Sequence, residues 1–276
     1  MKTKTMTLLL AALTCGTLAA NSSDAALSGQ LGVLDVSGIN PATGVQWAAG
    51  DEYRLTFVSS TRTTASSADI TTYNTFIQNT ANAAGLGGVT WYAVGSTSTV
   101  DAIDNTNTNS SDGDGVGEAI ILMDGTTIIA EDYDDLWDGI LVTPFDVLKG
   151  NPLAIETQAR GIYFNENGVN IGPANGSDDR IFTGTNGDGT KSTTQHLGTV
   201  LDTKASTGST GSGFPIQFWS VDGDGESTRW TADFSAGKDE LQEMYGISET
   251  LVVVPEPSSL ALLGLGGLMI ARRRRG

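Results

Sequence analysis

The chain has 276 residues, with 15 Lys and Arg against 32 Asp and Glu, and a formal net charge of −17. That acidic balance argues against nucleic acid as a partner, because phosphate binding needs a basic footprint. A single cysteine, Cys15, excludes an intramolecular disulfide framework, while the length suffices to bury a core without covalent staples.

The N-terminus has the order of a secretory leader. Lys2 and Lys4 supply positive charge, Met6 to Ala20 is mostly apolar, and small residues follow at Ala19, Ala20, Ala25 and Ala26. Residues 1–20 are read as the signal peptide, with cleavage after Ala20 or as late as about residue 26. Cys15 sits inside the apolar run, and Ala12-Leu13-Thr14 before it is a poor lipobox.

Residues 27–254 then read as one acidic exported domain. Without the leader and the last 22 residues, nine Lys and Arg remain against 31 Asp and Glu, a formal charge of about −22. Gly, Ser, Thr, Asn and Asp crowd between short apolar runs, which favours many strands joined by turns. The fold class expected is α+β: β-rich, with one main amphipathic helix.

Tyr53, Leu55 and Phe57 alternate with Arg54, Thr56 and Val58, the pattern of a strand with one buried face. Ile70, Tyr73, Phe76, Ile77, Thr80, Ala81 and Ala84 fall at helical spacing, so a helix is expected over about 67–84. Ser66 with Asp69 resembles a capping box at its start, and Gly85 supplies a stop. Val89 to Val94 reads as a strand with Trp91 and Tyr92 on opposite faces. Asp101 to Gly117 and Lys204 to Gly213 are polar stretches expected to be loops.

Ala119–Met123 and Thr126–Ala130 flank Asp124-Gly125, which suits a type I′ hairpin. Ile216–Val221 and Thr228–Phe234 are expected to pair. Thr250–Val254 is expected to be the final strand, with a short linker before Pro255.

Several acidic groups invite chemistry. Asp112-Gly-Asp114-Gly and Asp222-Gly-Asp224-Gly-Glu226 set alternating carboxylates in glycine turns, a pattern that offers oxygens to a hard cation. Neither completes a calcium-binding loop of the helix–loop–helix type: the fifth position from Asp112 is Val116, and the sixth from Asp222 is Ser227. Solvated turns are the simpler reading.

Glu131, Asp132, Asp134, Asp135 and Asp138 form the densest cluster. It is a candidate for calcium or glycan contact, and paired carboxylates are also the machinery of glycoside cleavage. Trp137 could serve as a sugar platform there, although Leu136 and Ile140 beside it favour a core position. His196, the only histidine, cannot build a multi-histidine metal site, and no Gly-x-Ser-x-Gly elbow accompanies it. No catalytic residue and no required cofactor is assigned from the sequence.

The last 22 residues carry the strongest signal. Pro255-Glu256-Pro257 precedes the uncharged run Leu260–Ala271, then Arg272, Arg273, Arg274 and Arg275. Twelve residues rise about 1.5 Å each, roughly 18 Å in all, against a hydrocarbon core of about 30 Å. The arginines are expected on the cytoplasmic side of the membrane, with the body on the other.

This tail resembles the PEP-CTERM sorting signal. The resemblance implies a bacterial exported protein, a transmembrane sorting helix at 255–276, and an exosortase-type processing enzyme as partner. It implies a cell-surface or extracellular-matrix setting with extracellular polysaccharide nearby, and says nothing of what the body does.

The body is similar in element order to a C-type-lectin-like or endostatin-like domain. The local matches are Tyr53–Val58, the helix ending Ala83-Ala84-Gly85-Leu86, Trp91 with Ala93, Asp124-Gly125-Thr126, Asp135–Gly139 and Phe182–Thr190. That family usually carries cysteines along this path, and none is present here. Nor are the calcium-and-sugar tripeptides of true lectins. The expected role is structural or binding, with a secreted glycan-binding module or carbohydrate-active enzyme, or a calcium-dependent adhesin, as alternatives.

Overall fold

The computed structural model describes residues 27–109, 116–137, 162–171, 180–209 and 234–255. Leu27–Pro255 forms one compact unit. The expected leader, the strand at 216–221 and the tail beyond Pro255 lie outside the described residues.

In chain order the strands are β1 (Leu27–Gly29), β2 (Ile39–Asn40), β3 (Val45–Gln46), β4 (Glu52–Val58), β5 (Trp91–Ala93), β6 (Ala119–Leu122), β7 (Ile128–Ala130), β8 (Arg180–Phe182), β9 (Lys204–Ser209), β10 (Phe234–Gly237), β11 (Glu243–Ser248) and β12 (Leu251–Pro255). The helices are α1 (Ile70–Ala83), α2 (Ala102–Asn105) and α3 (Tyr133–Trp137). The protein is therefore β-rich with few helices, as its turn-dense composition predicts.

One mixed sheet runs β1-β12-β4-β11-β8-β9-β10, and β2–β3 is a separate ribbon. β4 is its centre. β11 and β12 run antiparallel along one edge of β4, and β6 lies parallel along the other. β11 in turn carries β5 and β8 on its far edge.

The expectation that β4 buries one face is overturned. Tyr53 through Val58 are all buried, because the sheet is covered on both sides. Tyr53, Leu55 and Phe57 face a core with Tyr73, Ile77 and Ala81 of α1 and with Trp91. Val58 faces a second core with Ile120, Leu122, Ile129, Leu136, Trp137 and Ile247. Each fully buried aliphatic or aromatic side chain contributes about 1.5–3 kcal/mol relative to exposure. Trp91 and Tyr92 divide between these two cores as expected.

α1 starts later than predicted. Asp69, not Ser66, is the cap, and its carboxylate accepts the Thr71 N–H at 3.0 Å. Ser66 instead bonds Lys238 and Asp239. The helix ends as predicted at Gly85 (φ 81°), where the Gly85 and Leu86 N–H groups return to Asn82 and Ala81. Asn74 and Gln78 of α1 accept the Ala93 and Trp91 N–H groups at 2.9 Å, which covers the exposed edge of β5. The helix approaches β11 closely at Gly246. A Cβ there would lie 2.8 Å from both Ile77 Cγ2 and Phe57 Cζ.

The predicted hairpin is present as β6–β7, but its turn is not type I′. Among residues 123–126 only Gly125 has positive φ, 75°. Its N–H closes on the Leu122 carbonyl, and the Asp124 carboxylate accepts the Thr126 and Thr127 N–H groups. Two expected loops also contain structure. Asp101–Gly117 includes α2, and Lys204–Gly213 begins with β9, which bridges β8 and β10. β9 has no large apolar residue; Ala205 and Thr207 are small enough to be fully buried. The pairing expected for Thr228–Phe234 is described only at Phe234, which sits opposite Thr207 of β9.

The linker expected before Pro255 is absent. β12 continues through Pro255, which pairs with Leu27 at the start of β1. Among the described residues no helix is long and apolar enough to cross a membrane.

Candidate functional site

Among the described residues, a dense polar constellation centres on Arg54, which the alternating pattern had placed on a solvent-facing side. Its side chain is 2% exposed, and its guanidinium pairs with Glu118 at 3.1 Å. It also donates to the carbonyls of Thr106 (2.9 Å), Ser248 (3.1 Å) and Asn107 (3.2 Å), and to Thr250 Oγ1 (3.4 Å). The Tyr133 ring stacks 5.2 Å from the guanidinium carbon, and its hydroxyl donates to Glu118. Thr250 Oγ1 donates to the other Glu118 oxygen at 3.0 Å.

These contacts set the charge states. Burial pushes the Glu118 carboxyl up, but the Tyr133 hydroxyl, the Arg54 charge and the Arg54 and Thr250 hydrogen bonds outweigh it and hold it below the ordinary value. Burial first, and the neighbouring carboxylate second, raise the Tyr133 hydroxyl. A fully engaged buried ion pair of this kind fixes the arrangement of β4, β6, α3 and the turn into β12; it leaves no donor directed at solvent. Its chemistry is cohesive.

The acidic cluster at 131–138 divides. Asp132 accepts the Asp135 N–H at 2.9 Å, and Asp135 reaches back to accept the Glu131 N–H at 2.7 Å. The Asp132 carboxylate thus caps the first turn of α3, where negative charge is favoured, and Asp135 ties that turn to the residue before the cap. Asp134 lies in that same turn. Trp137 is 6% exposed, and its indole N–H donates to Thr108 Oγ1 at 2.9 Å; it is core, not an open sugar platform. Asp138, Asp112, Asp114, Asp222 and Asp224 lie outside the described residues. Among the described residues, no group of three or more His, Cys, Asp or Glu side chains is arranged to hold a metal ion.

His196 is buried, with Nδ1 3.1 Å from the Ser192 carbonyl. Glu166 is 5% exposed and receives both the N–H and the hydroxyl of Ser60. Sequence reading missed this carboxylate and the Arg54 constellation. The available signal for Arg54 was a lone charge inside an otherwise strongly strand-forming run.

Of the sorting residues, Pro255 closes β12, and Glu256, Pro257 and Arg272 to Arg275 lie beyond the described residues. This end of the body carries the protein's sorting information. Residues 253–275 match the PEP-CTERM protein-sorting motif. The protein is accordingly an exported one, held at the cell envelope or secreted, and the motif implies sorting and processing by an exosortase. No curated protein matches the chain.

Proposed function

We propose that the protein is a non-catalytic component of a bacterial cell surface or extracellular matrix, with a structural or binding role, delivered there by its tail. The observation that carries this reading is the PEP-CTERM match at 253–275, continuous with the last strand of a folded acidic body. The use of the polar side chains supports it. Arg54, Glu118 and Tyr133 tie β4, the start of β6 and α3 together on one side of the sheet, and Asp132 caps a helix while Asp135 ties back to Glu131. The succession β4, α1, β5, β6–β7 and the late strands supports extending the lectin-like resemblance to the body's architecture. On this reading its partner is extracellular polysaccharide, met through loops and not through a reactive pocket.

A polysaccharide array followed by incubation with the same glycans tests the reading. Retention without chain cleavage is the expected result. Hydrolysis that is lost in Asp135→Asn would overturn the non-catalytic assignment. Thermal melts with calcium and then EGTA are expected to coincide, since a ligand bound to the native state alone raises its midpoint. A calcium-dependent rise would favour the adhesin instead.

A further inference from the structure

The sorting match begins inside the fold. Val253, its first residue, is 1% exposed. Its N–H donates to the Asp51 carbonyl and its own carbonyl accepts the Gly50 N–H, both at 2.9 Å. Val254 pairs with Ser28, and Pro255 with Leu27. The two residues leading to the Pro-Glu-Pro tripeptide and its first proline are thus held as sheet, with no spacer between body and signal. A peptidase takes its substrate as an extended strand on both sides of the cut bond. Backbone already committed to one ladder is not available to another.

Detaching β12 would be costly for the body. Leu251 and Val253 are core residues. β12 also joins β1 to β4, and among the described residues β1 has no other strand partner. β1 itself is tightly seated: a Cβ on Gly29 would lie 2.5 Å from Leu34 Cβ and 2.6 Å from the Tyr53 hydroxyl. The Tyr53 hydroxyl donates to the Gln30 carbonyl at 2.7 Å just beyond it.

We propose that tail processing acts on the already folded body and that both cuts fall outside the β1–β12 ladder. The leader is removed at or before Ala26, and the tail is cut on the C-terminal side of Pro255. The mature chain keeps Leu27 through Pro255, each end locking the other. The proposal rests on the exosortase-sorting reading for the second cut. In that step one peptide C–N bond breaks. The carbonyl carbon on the body side passes to water or to an amine nucleophile, and the tail departs as an amine carrying the nucleophile's proton.

Two measurements test it. Limited proteolysis of the purified full chain in detergent, with a broad-specificity protease, reports which backbone opens without global unfolding. Early cuts should spare 27–29 and 251–255, and a native-state cut between Leu251 and Pro255 would overturn the proposal whatever enzyme acts in the cell. The intact mass of envelope-derived protein, with and without the exosortase, locates the mature ends. A C-terminus at or beyond Pro255 and an N-terminus at or before Leu27, appearing with the enzyme, are expected. An exosortase-dependent C-terminus short of Pro255 would overturn the proposal and leave the sorting reading standing. An uncut tail in both strains would overturn both.

Discussion

Arg54→Met is the sharpest probe of how the body holds together. The substitution keeps the stem's apolar volume and removes the charge. It leaves Glu118 side-chain exposure at 14% with its countercharge gone, along with donors to three carbonyls and to Thr250. Breaking a buried pair from one side costs about 3–5 kcal/mol. Against a typical domain stability of about 5–15 kcal/mol, that is a large share. Glu118→Gln retains hydrogen-bonding capacity toward Tyr133 and Thr250 and should cost less. The double variant should cost less than the two singles together, with a coupling of about 0.5–3 kcal/mol.

The assay is urea denaturation of the Leu27–Pro255 unit, with all four proteins compared at constant slope. Acid adds a second readout. Glu118 is held below its ordinary value in the fold, so its contribution is complete above the unfolded carboxylate value and disappears as pH falls through the folded one. The stability gap between wild type and Glu118→Gln should therefore shrink on going from about pH 6 to about pH 3. A cost below about 1 kcal/mol for Arg54→Met, or strict additivity in the cycle, would refute the reasoning.

Three further substitutions test the packing. Gly246→Ala forces a methyl against Ile77 and Phe57 and should destabilise by about 1–3 kcal/mol in the same assay; no loss would mean that α1 is not seated on β11 as described. Gly125→Ala meets a positive φ and a Val33 carbonyl 1.9 Å from the new Cβ, so its loss should exceed about 1 kcal/mol. A neutral result would show that the hairpin tip does not dock on the 33–35 segment. Asp132→Ala removes a helix cap and should cost about 1 kcal/mol without altering the response to calcium. A changed calcium response would return Asp132 to the ligands.

The parts legible in sequence were those fixed by local pattern. The 3.6-residue spacing from Ile70 to Ala84 marked α1, and Asp124-Gly125 between β-rich runs marked β6–β7. The tail was legible because its three parts act in sequence order and need no tertiary contact. Features decided by long-range packing were not legible. β11 is a central strand, yet Gly246 interrupts its apolar pattern for a reason visible only when α1 lies on top of it. β9 offers only small and hydroxyl residues, so it reads as loop until β8 and β10 flank it. Arg54 alternates as a solvent-facing residue would, because nothing local announces the second core that covers its side of the sheet. Asp132 and Asp135 read as candidates for calcium or glycan contact, because helix capping and ligand binding draw on the same residue types.

The protein's role depends most on where the tail takes the body. Fractionation of the producing cell, with intact-mass detection in the presence and absence of the exosortase, addresses this directly. The predicted result is a leaderless body outside the cytoplasm that loses its terminal arginines only when the enzyme is present. A full-length chain in the cytosol, retaining both Met1 and Gly276, would contradict it.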